Sequence, residues 1–220
     1  MRNKWSWRER GVSKKEIKER LAAAIKKNRS YKRDPMMGFP GTTPLSAVLK
    51  VHRQFTGEHP NNIGHHTGPV VAEFGFEGTQ KLERDFVYTL AHLMGATDPE
   101  KDVDGYICMG GTEGNDHGLW LGRNKLRSVP PAGPTNGIVV ISSFLAHYSI
   151  DKHFGRLFNT QDGDIDADIL DKLPTDAKGE LDPQVVKRQI RELRLKGYSR
   201  FLLILTVGTT NMGSVDPVAE

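Results

Sequence analysis

The chain has 220 residues, of which 31 are Lys or Arg, 27 are Asp or Glu and 37% are hydrophobic, which is ordinary globular composition. No run approaches the ~20 apolar residues that a membrane-spanning helix needs, and the charged N-terminus has no apolar segment behind it that would indicate a secretory signal. We therefore expect a cytoplasmic protein, without disulfides and without a four-cysteine zinc site, because Cys108 is the only cysteine.

The positive charge is concentrated at the start of the chain. Residues 1–33 carry 13 Lys or Arg and 3 acidic residues, a net charge of +10, whereas the remainder carries −6. Ser13 and Glu16 form a capping box, and apolar residues follow at helical spacing at positions 17, 21, 24 and 25. The pattern predicts an amphipathic helix whose apolar stripe docks on another surface, with Trp5 and Trp7 as candidate anchors at a partner or a second copy of the chain. A nucleic-acid or anionic-surface binding module led by this segment stays open as an alternative function.

Loops dominate the next part of the chain. Residues 34–44 are interrupted by prolines and glycines and are predicted to form an extended arm, followed by a short helix over residues 45–55. Residues 57–78 form a loop rich in His, Gly, Pro and Asn, and a loop of that length is usually functional. We expect no metal site there, because no acidic residue stands at ligand spacing beside its histidines, which are His59, His65 and His66.

Apolar strands and amphipathic helices alternate in the rest of the chain. Helices are predicted over residues 79–94, after Gly110, and from Pro183 to Gly197 with Asp182 as the cap. Strands are predicted over residues 105–109, 138–141 and 201–207. This alternation predicts an α/β fold in which crossover helices connect parallel strands.

Three predicted strand ends carry residues suited to ligand binding, which in α/β sheets occurs where strands end. The glycines of residues 110–115 allow a tight turn, Thr112 offers a hydroxyl, and the helix start offers N–H groups, as in a phosphate cradle. The pattern is neither the dinucleotide nor the Walker motif. The other two strand ends carry His147 and the pair Thr209 and Thr210.

Each of these segments also has a purely structural interpretation. The Gly-Gly-Thr turn can be a plain connection, His147 can be a core residue with satisfied hydrogen bonds, and residues 207–213 can be a polar loop that turns at Asp216. Because three such segments would meet at one edge of a parallel sheet, we expect them to form a single crevice.

In order, these segments resemble the motifs of the pyridoxal-phosphate-dependent group II amino-acid decarboxylases. The matching segments are Gly-Tyr-Ile-Cys-Met-Gly-Gly-Thr-Glu-Gly-Asn at 105–115, Ala-His-Tyr-Ser at 146–149, and Gly-Thr-Thr at 208–210 with Asp-Pro at 216–217. Residues 39–41, 61–64 and 79–84 resemble the arm and first large-domain helix of bacterial histidine decarboxylases and their glutamate and aromatic relatives.

The resemblance implies a fold-type I enzyme, with a mainly parallel sheet and helices on both faces. Residues 1–60 would form a basic helical arm used in dimerisation, and residues 61–220 an incomplete large domain that binds pyridoxal 5'-phosphate. The implied reaction is decarboxylation of an L-amino acid to the amine and carbon dioxide. A lyase or transferase of another reaction type on the same fold is the alternative, and histidine, glutamate, aspartate and aromatic amino acids all remain candidate substrates.

The resemblance also implies roles for individual residues. The Gly111 backbone and Thr112 would bind the cofactor phosphate. His147 would be the catalytic residue, stacking on the pyridine ring and orienting the substrate, and Thr210 would help position His147 and the ring. Cofactor chemistry of this kind needs the protein to orient the scissile bond and supply electrostatics.

The chain departs from the family pattern in three respects. Met109 stands where relatives often have Ser or Asn. The aspartate that pairs with the pyridine nitrogen and the lysine that forms the Schiff base follow the Gly-Thr-Thr segment in the family and are absent here. Lys125 and Lys152 are not expected to substitute, because Lys125 lies far along its helix and Lys152 is expected on a helix that faces away. We therefore expect a homodimer, or an assembly with a chain that carries the missing half, while a non-functional fragment and a degenerate binding module remain open.

Overall fold

The computed structural model describes residues 12–28, 44–57, 77–158 and 166–219. The chain divides into two units, Met1–Lys50 and Val51–Glu220. Several predictions fall outside the described residues: the arm at 34–44 except for its last residue, the 61–64 motif, Trp5, Trp7, His59, His65 and His66. No helix in the described ranges is long and apolar enough to cross a membrane.

The helix predicted from the capping box forms as α1, Lys14–Lys27. The Glu16 N–H donates to Ser13 Oγ at 3.1 Å, which satisfies one of the otherwise unpaired donors at the helix start. The apolar side chains of the stripe are largely exposed, with Leu21 at 57% and Ile25 at 64%. The next helix, α2, spans Ser46–Phe55 and confirms the short helix that the sequence predicts.

The helix predicted over residues 79–94 forms as α3, Glu77–Leu93, and is followed by the short α4, Pro99–Asp102. The strand predicted over residues 105–109 is wrong, because this segment has no regular secondary structure. Its backbone donors go to carboxylates instead: the Ile107 N–H donates to Glu83 Oε1 at 2.7 Å and the Met109 N–H to Glu113 Oε2 at 2.8 Å. An apolar run becomes a strand only where a neighbouring strand exchanges hydrogen bonds with it.

A parallel sheet and its crossover helices make up the rest of the described chain. In chain order the elements are α5 Gly111–Arg127, β1 Ile138–Ser143, α6 Ser149–Leu157, β2 Ile169–Leu173, α7 Pro183–Leu195 and β3 Arg200–Leu203. The strand order is β2-β1-β3, and Val139 of β1 pairs with Ile169 on one side and with Phe201 on the other. The expected α/β fold is therefore confirmed.

Two differences in the strands have simple causes. β2 is not predicted from the sequence because Asp171 and Lys172 interrupt its apolar pattern, and as an edge strand it is only partly buried. β3 ends at Leu203, whereas the sequence predicts a strand up to residue 207. Val207 pairs instead with Val215 in an isolated antiparallel bridge.

The central strand β1 is fully buried and separates two apolar cores. Because successive strand side chains point to opposite faces, Ile138 and Val140 pack on one face and Val139 and Ile141 on the other. The first core includes α5 and α6 through Leu119, Ile150 and Phe154, and the second includes α7 through Val186 and Leu193. Helices thus cover both faces of the sheet.

An ion pair between the partly exposed Arg127 and the buried Asp168 joins α5 to the amino ends of β1 and β2. Both carboxylate oxygens of Asp168 lie 2.8 Å from Arg127 Nη2, and Oδ1 also accepts the Ile138 N–H at 2.7 Å. The Asp168 side chain is fully buried. This cluster fixes the position of α5 relative to the sheet.

Candidate functional site

The start of α5 is a glycine turn that faces open space. Gly110 precedes the helix with φ 156° and ψ 166°, a region that essentially only glycine occupies. A Cβ placed on Gly110 or Gly111 would meet no atom within 4 Å. The first helical hydrogen bond runs from the Gly114 N–H to the Gly110 carbonyl, so no carbonyl of the helix can accept from the N–H groups before Gly114. These N–H groups and the positive end of the helix dipole suit an anion.

The Glu113 carboxylate is turned back toward the segment that precedes the helix. Its Oε2 accepts the Met109 N–H at 2.8 Å and its Oε1 accepts the Tyr106 hydroxyl at 3.1 Å. Burial, and then the Glu113 carboxylate, raise the pKa of Tyr106. The Glu113 carboxylate therefore accepts from two donors in residues 106–109, the segment that precedes the turn.

A cavity of about 570 Å³ lies in front of the turn. Its lining combines the turn, residues of the first two turns of α5, and one side of α6: Met109, Gly110, Gly111, Thr112, Glu113, Asp116, Lys152, His153 and Arg156. The prediction that Lys152 faces away from the site is wrong. Lys152, His153 and Arg156 are spaced so that they share one side of α6, and α6 packs beside α5 in the same core.

Asp116 of α5 contacts two side chains of α6. Its Oδ2 contacts the Arg156 guanidinium, and its Oδ1 lies 2.9 Å from His153 Nδ1. The hydrogen bond from Arg156 holds the pKa of Asp116 below its ordinary value, so this carboxylate remains ionised and is matched by the guanidinium charge. The cationic side chains Lys152 and Arg156 thus line the same cavity as the helix start.

His147 lies between β1 and α6 and is connected to α5 by hydrogen bonds. Ser149 Oγ lies 2.8 Å from His147 Nδ1 and accepts from Asn115 Nδ2 at 2.8 Å, while the Ser149 N–H donates to His147 Nδ1 at 3.3 Å. Ser149 is fully buried. Because Asn115 is four residues after Gly111, this chain of contacts links the glycine turn to His147.

The third predicted segment folds on itself. Gly208 has φ 95°, and the Gly208 and Thr209 N–H groups both donate to the Ser214 carbonyl at 3.0 Å. The buried Thr209 hydroxyl lies 2.6 Å from Ser214 Oγ, whereas Thr210 is exposed. Within the described part of the chain, no hydrogen bond joins Thr210 to His147, and the role predicted for Thr210 stays a prediction.

Asp216 has a structural role that sequence reasoning missed. Its side chain is buried, and its two oxygens accept the Leu181 and Thr206 N–H groups, each at 2.8 Å. The carboxylate therefore joins the segment after β3 to the residue before the α7 cap. Asp216 stands in the sequence as a turn residue and as part of the Asp-Pro motif, and neither pattern indicates which backbone groups its carboxylate accepts from.

Sequence reasoning found the glycine turn and His147 and did not assign the side chains that connect them. Asn115 and Ser149 stand within the quoted motifs, but their contact joins residues 34 positions apart. Lys152 and Arg156 were missed because the direction in which a helix faces depends on its packing.

In comparisons with known proteins the chain is similar to amino-acid decarboxylases, although no family model matches the sequence. A tryptophan decarboxylase of Clostridium sporogenes is 29% identical over 221 residues, covering 96% of this chain and 49% of that protein. A probable L-tyrosine/L-aspartate decarboxylase of Methanocella arvoryzae is 28% identical, covering 97% and 47%. The cysteine sulfinic acid decarboxylase of Homo sapiens is 25% identical, covering 96% and 40%. The chain spans about half the length of the curated relatives it matches.

Solved structures show the same fold. L-methionine decarboxylase from Streptomyces sp. 590 matches with a TM-score of 0.72 and 22% identity, over 97% of this chain and 48% of that one. Mouse CSAD matches with a TM-score of 0.65 and 24% identity, over 97% and 42%. The α/β fold expected from the sequence is therefore the fold of the matched part of these structures.

Proposed function

We propose that this chain, a homologue of the group II pyridoxal-phosphate-dependent amino-acid decarboxylases, provides the phosphate-binding and ring-stacking part of an enzyme that converts an L-amino acid to its amine and carbon dioxide. One observation carries the proposal: the open glycine turn at the start of α5 is joined, through Asn115 and Ser149, to His147. The two cofactor-facing features expected from the resemblance are thus tied together by direct contacts.

The donors at the start of α5 fit the phosphate of pyridoxal 5'-phosphate. The Gly111 and Thr112 N–H groups and the Thr112 hydroxyl stand at a helix start, and the cationic Lys152 and Arg156 line the same cavity. The backbone of Gly110 favours glycine, with φ 156°, and the space in front of Gly110 and Gly111 is open for a ligand. When bound, the cofactor supplies the electron sink that stabilises the carbanion formed when carbon dioxide leaves the substrate.

We assign roles to this chain's residues on that basis. Gly111 and Thr112 bind the phosphate, His147 lies against the ring and orients the substrate, and Thr210 supports the ring and His147. We look for the Schiff-base lysine and the ring-nitrogen aspartate outside these 220 residues, in further sequence of the same polypeptide or in a second chain, because the relatives are about twice as long as their matched part.

We further propose a cytoplasmic homodimer, with residues 1–60 as the dimerisation arm and residues 61–220 as the cofactor domain. The apolar stripe of α1 is exposed, which supports a role in packing against the surface of a partner subunit. No comparison favours the alternative of a nucleic-acid or anionic-surface module led by residues 1–33.

The test is cofactor binding and carbon dioxide release by the whole native protein that contains this chain. Purified protein should show the absorbance of bound pyridoxal phosphate and release carbon dioxide from at least one common L-amino acid. Bound cofactor with every amino acid untouched would favour a lyase or transferase of another reaction type. A protein that binds no cofactor would contradict the proposal.

A further inference from the structure

We infer that Asn115 and Ser149 hold His147 in the tautomer that carries its ring proton on Nε2, so that His147 meets the substrate as a hydrogen-bond donor. The tautomer of His147 is inferred only from contacts within this chain. Its role as a donor to the substrate rests on the proposed function.

The direction of one hydrogen bond fixes the tautomer. The Ser149 N–H lies 3.3 Å from His147 Nδ1, and a backbone amide can only donate. Nδ1 must therefore present its lone pair, and the proton of the neutral ring is on Nε2.

The Ser149 hydroxyl reinforces this arrangement from a buried position. Its oxygen accepts from Asn115 Nδ2 at 2.8 Å and lies 2.8 Å from His147 Nδ1. With one lone pair engaged by the amide, the single hydroxyl proton points to Nδ1. Because Ser149 is fully buried, water does not compete for its hydroxyl.

Asn115 contributes through the chemistry of its side chain. An asparagine has both a donor and an acceptor, and the NH₂ group is the end directed at Ser149. A carboxylate at the same position would only accept. Ser149 would then donate to the carboxylate and turn an oxygen lone pair toward Nδ1, which favours a proton there.

The tautomer restricts what His147 does. A neutral ring with its proton on Nε2 donates from that atom and cannot take up a proton there. The substrate group that it suits is an anionic acceptor, such as the α-carboxylate of an amino acid. Asn115 and Ser149 are therefore positioning residues, and His147 orients the substrate without acting as a base through Nε2.

The experiment is ¹⁵N NMR of the whole native protein labelled with ¹⁵N-histidine and free of cofactor. The two ring signals of His147 are assigned by their loss in His147→Gln. At a pH where the ring is neutral, we expect a protonated Nε2 and a bare Nδ1. A protonated Nδ1 in the unmodified protein overturns the inference without any further variant.

Variants test the two supporting residues. Asn115→Asp should shift the His147 signals toward the tautomer protonated on Nδ1, and the same change made together with Ser149→Ala should produce no such shift. The double variant keeps the added charge at position 115 and removes the Ser149 hydroxyl. It therefore separates a relay, meaning an effect passed to His147 through that hydroxyl, from the direct electrostatic effect of the charge. An equal shift with and without the hydroxyl would contradict a relay through Ser149. Ser143→Ala is the matched control, because Ser143 is equally buried and alternation along β1 directs it to the face covered by α7.

The inference and the proposed function fail separately. A protonated Nε2 in a protein that binds no pyridoxal phosphate would support the inferred tautomer and contradict the proposed function. Cofactor binding together with a protonated Nδ1 would be consistent with the proposed function and would contradict the inferred tautomer. A kinetic readout follows once a substrate is known: Asn115→Asp should raise KM more than it lowers kcat, because the lost donor serves substrate binding.

Discussion

At the scale of single residues, two carboxylates stand beside a helix start that we propose binds a phosphate, and both are engaged by other groups. Glu113 accepts from the Met109 N–H and the Tyr106 hydroxyl, and Asp116 contacts Arg156 and His153. Their charges are thus partly offset by donors of the same cluster. The Thr112 hydroxyl is the side chain that we expect to contact the phosphate itself.

Replacing Thr112 by Val keeps the side-chain shape and removes the hydroxyl. We expect cofactor affinity to fall by about 1 to 2 kcal/mol, roughly 5- to 30-fold, because one hydrogen bond to the phosphate is lost. Absorbance titration of the whole native protein with pyridoxal phosphate measures this. Thr89→Val, at an exposed position on α3, is the matched control and should leave affinity unchanged. Equal affinities for both variants would argue against the phosphate assignment.

The Asp116 contact predicts a pH dependence of stability. Arg156 lowers the pKa of Asp116 in the folded state, so the contact stabilises the protein above the ordinary Asp pKa of 3.8, and this stabilisation is lost as the pH falls through the lowered folded value. Arg156→Gln should therefore reduce the free energy of unfolding at neutral pH and have a shrinking effect as the solution is acidified.

Urea unfolding at a series of pH values measures that difference. Arg188→Gln removes the same charge from an exposed position on α7 and serves as the control. If the two variants differed from the unmodified protein by the same amount at every pH, the contact between Arg156 and Asp116 would have no part in stability.

At the scale of elements, the position of α5 decides where the glycine turn stands. The core contact of Leu119 holds the middle of the helix against the sheet, and the Arg127 ion pair with Asp168 holds its carboxyl end. Asn115 connects its amino end to Ser149. The turn that we propose binds phosphate is thus fixed by contacts along the whole helix.

Arg127→Met tests the anchor at the carboxyl end of α5. The change removes the guanidinium that contacts both oxygens of the buried Asp168 carboxylate, and we expect a loss of about 2 kcal/mol in the free energy of unfolding, the usual scale for hydrogen bonds to a charged group. Chemical denaturation measures it. Arg127→Met combined with Asp168→Asn should recover much of the loss, because a neutral amide is less costly to bury than a carboxylate that has lost the guanidinium. A double variant no more stable than Arg127→Met alone would contradict this explanation.

At the scale of the whole molecule, local patterns predicted much of the fold. The capping residues Ser13 and Asp182 each mark a helix that forms, and the apolar run at residues 138–141 becomes the central strand. Features that depend on distant residues were not predicted. The run at residues 105–109 forms no strand, because its backbone donors pair with Glu83 and Glu113.

The same division holds for the candidate site. Glycines before a helix are visible in the sequence, since their conformational freedom is local, and they led to Gly111 and Thr112. The contact of Asn115 with Ser149 and the direction of Lys152 follow from how α5 and α6 pack on the sheet. Residue spacing does not contain that information.

The measurement that tests the central claim most directly is carbon dioxide release by the whole native protein, loaded with pyridoxal phosphate and supplied in turn with the common L-amino acids. We expect release from at least one amino acid, with the matching amine as product, and strong loss of turnover in His147→Ala. Release that is unchanged in His147→Ala, or no release from any amino acid by protein with bound cofactor, would contradict the account.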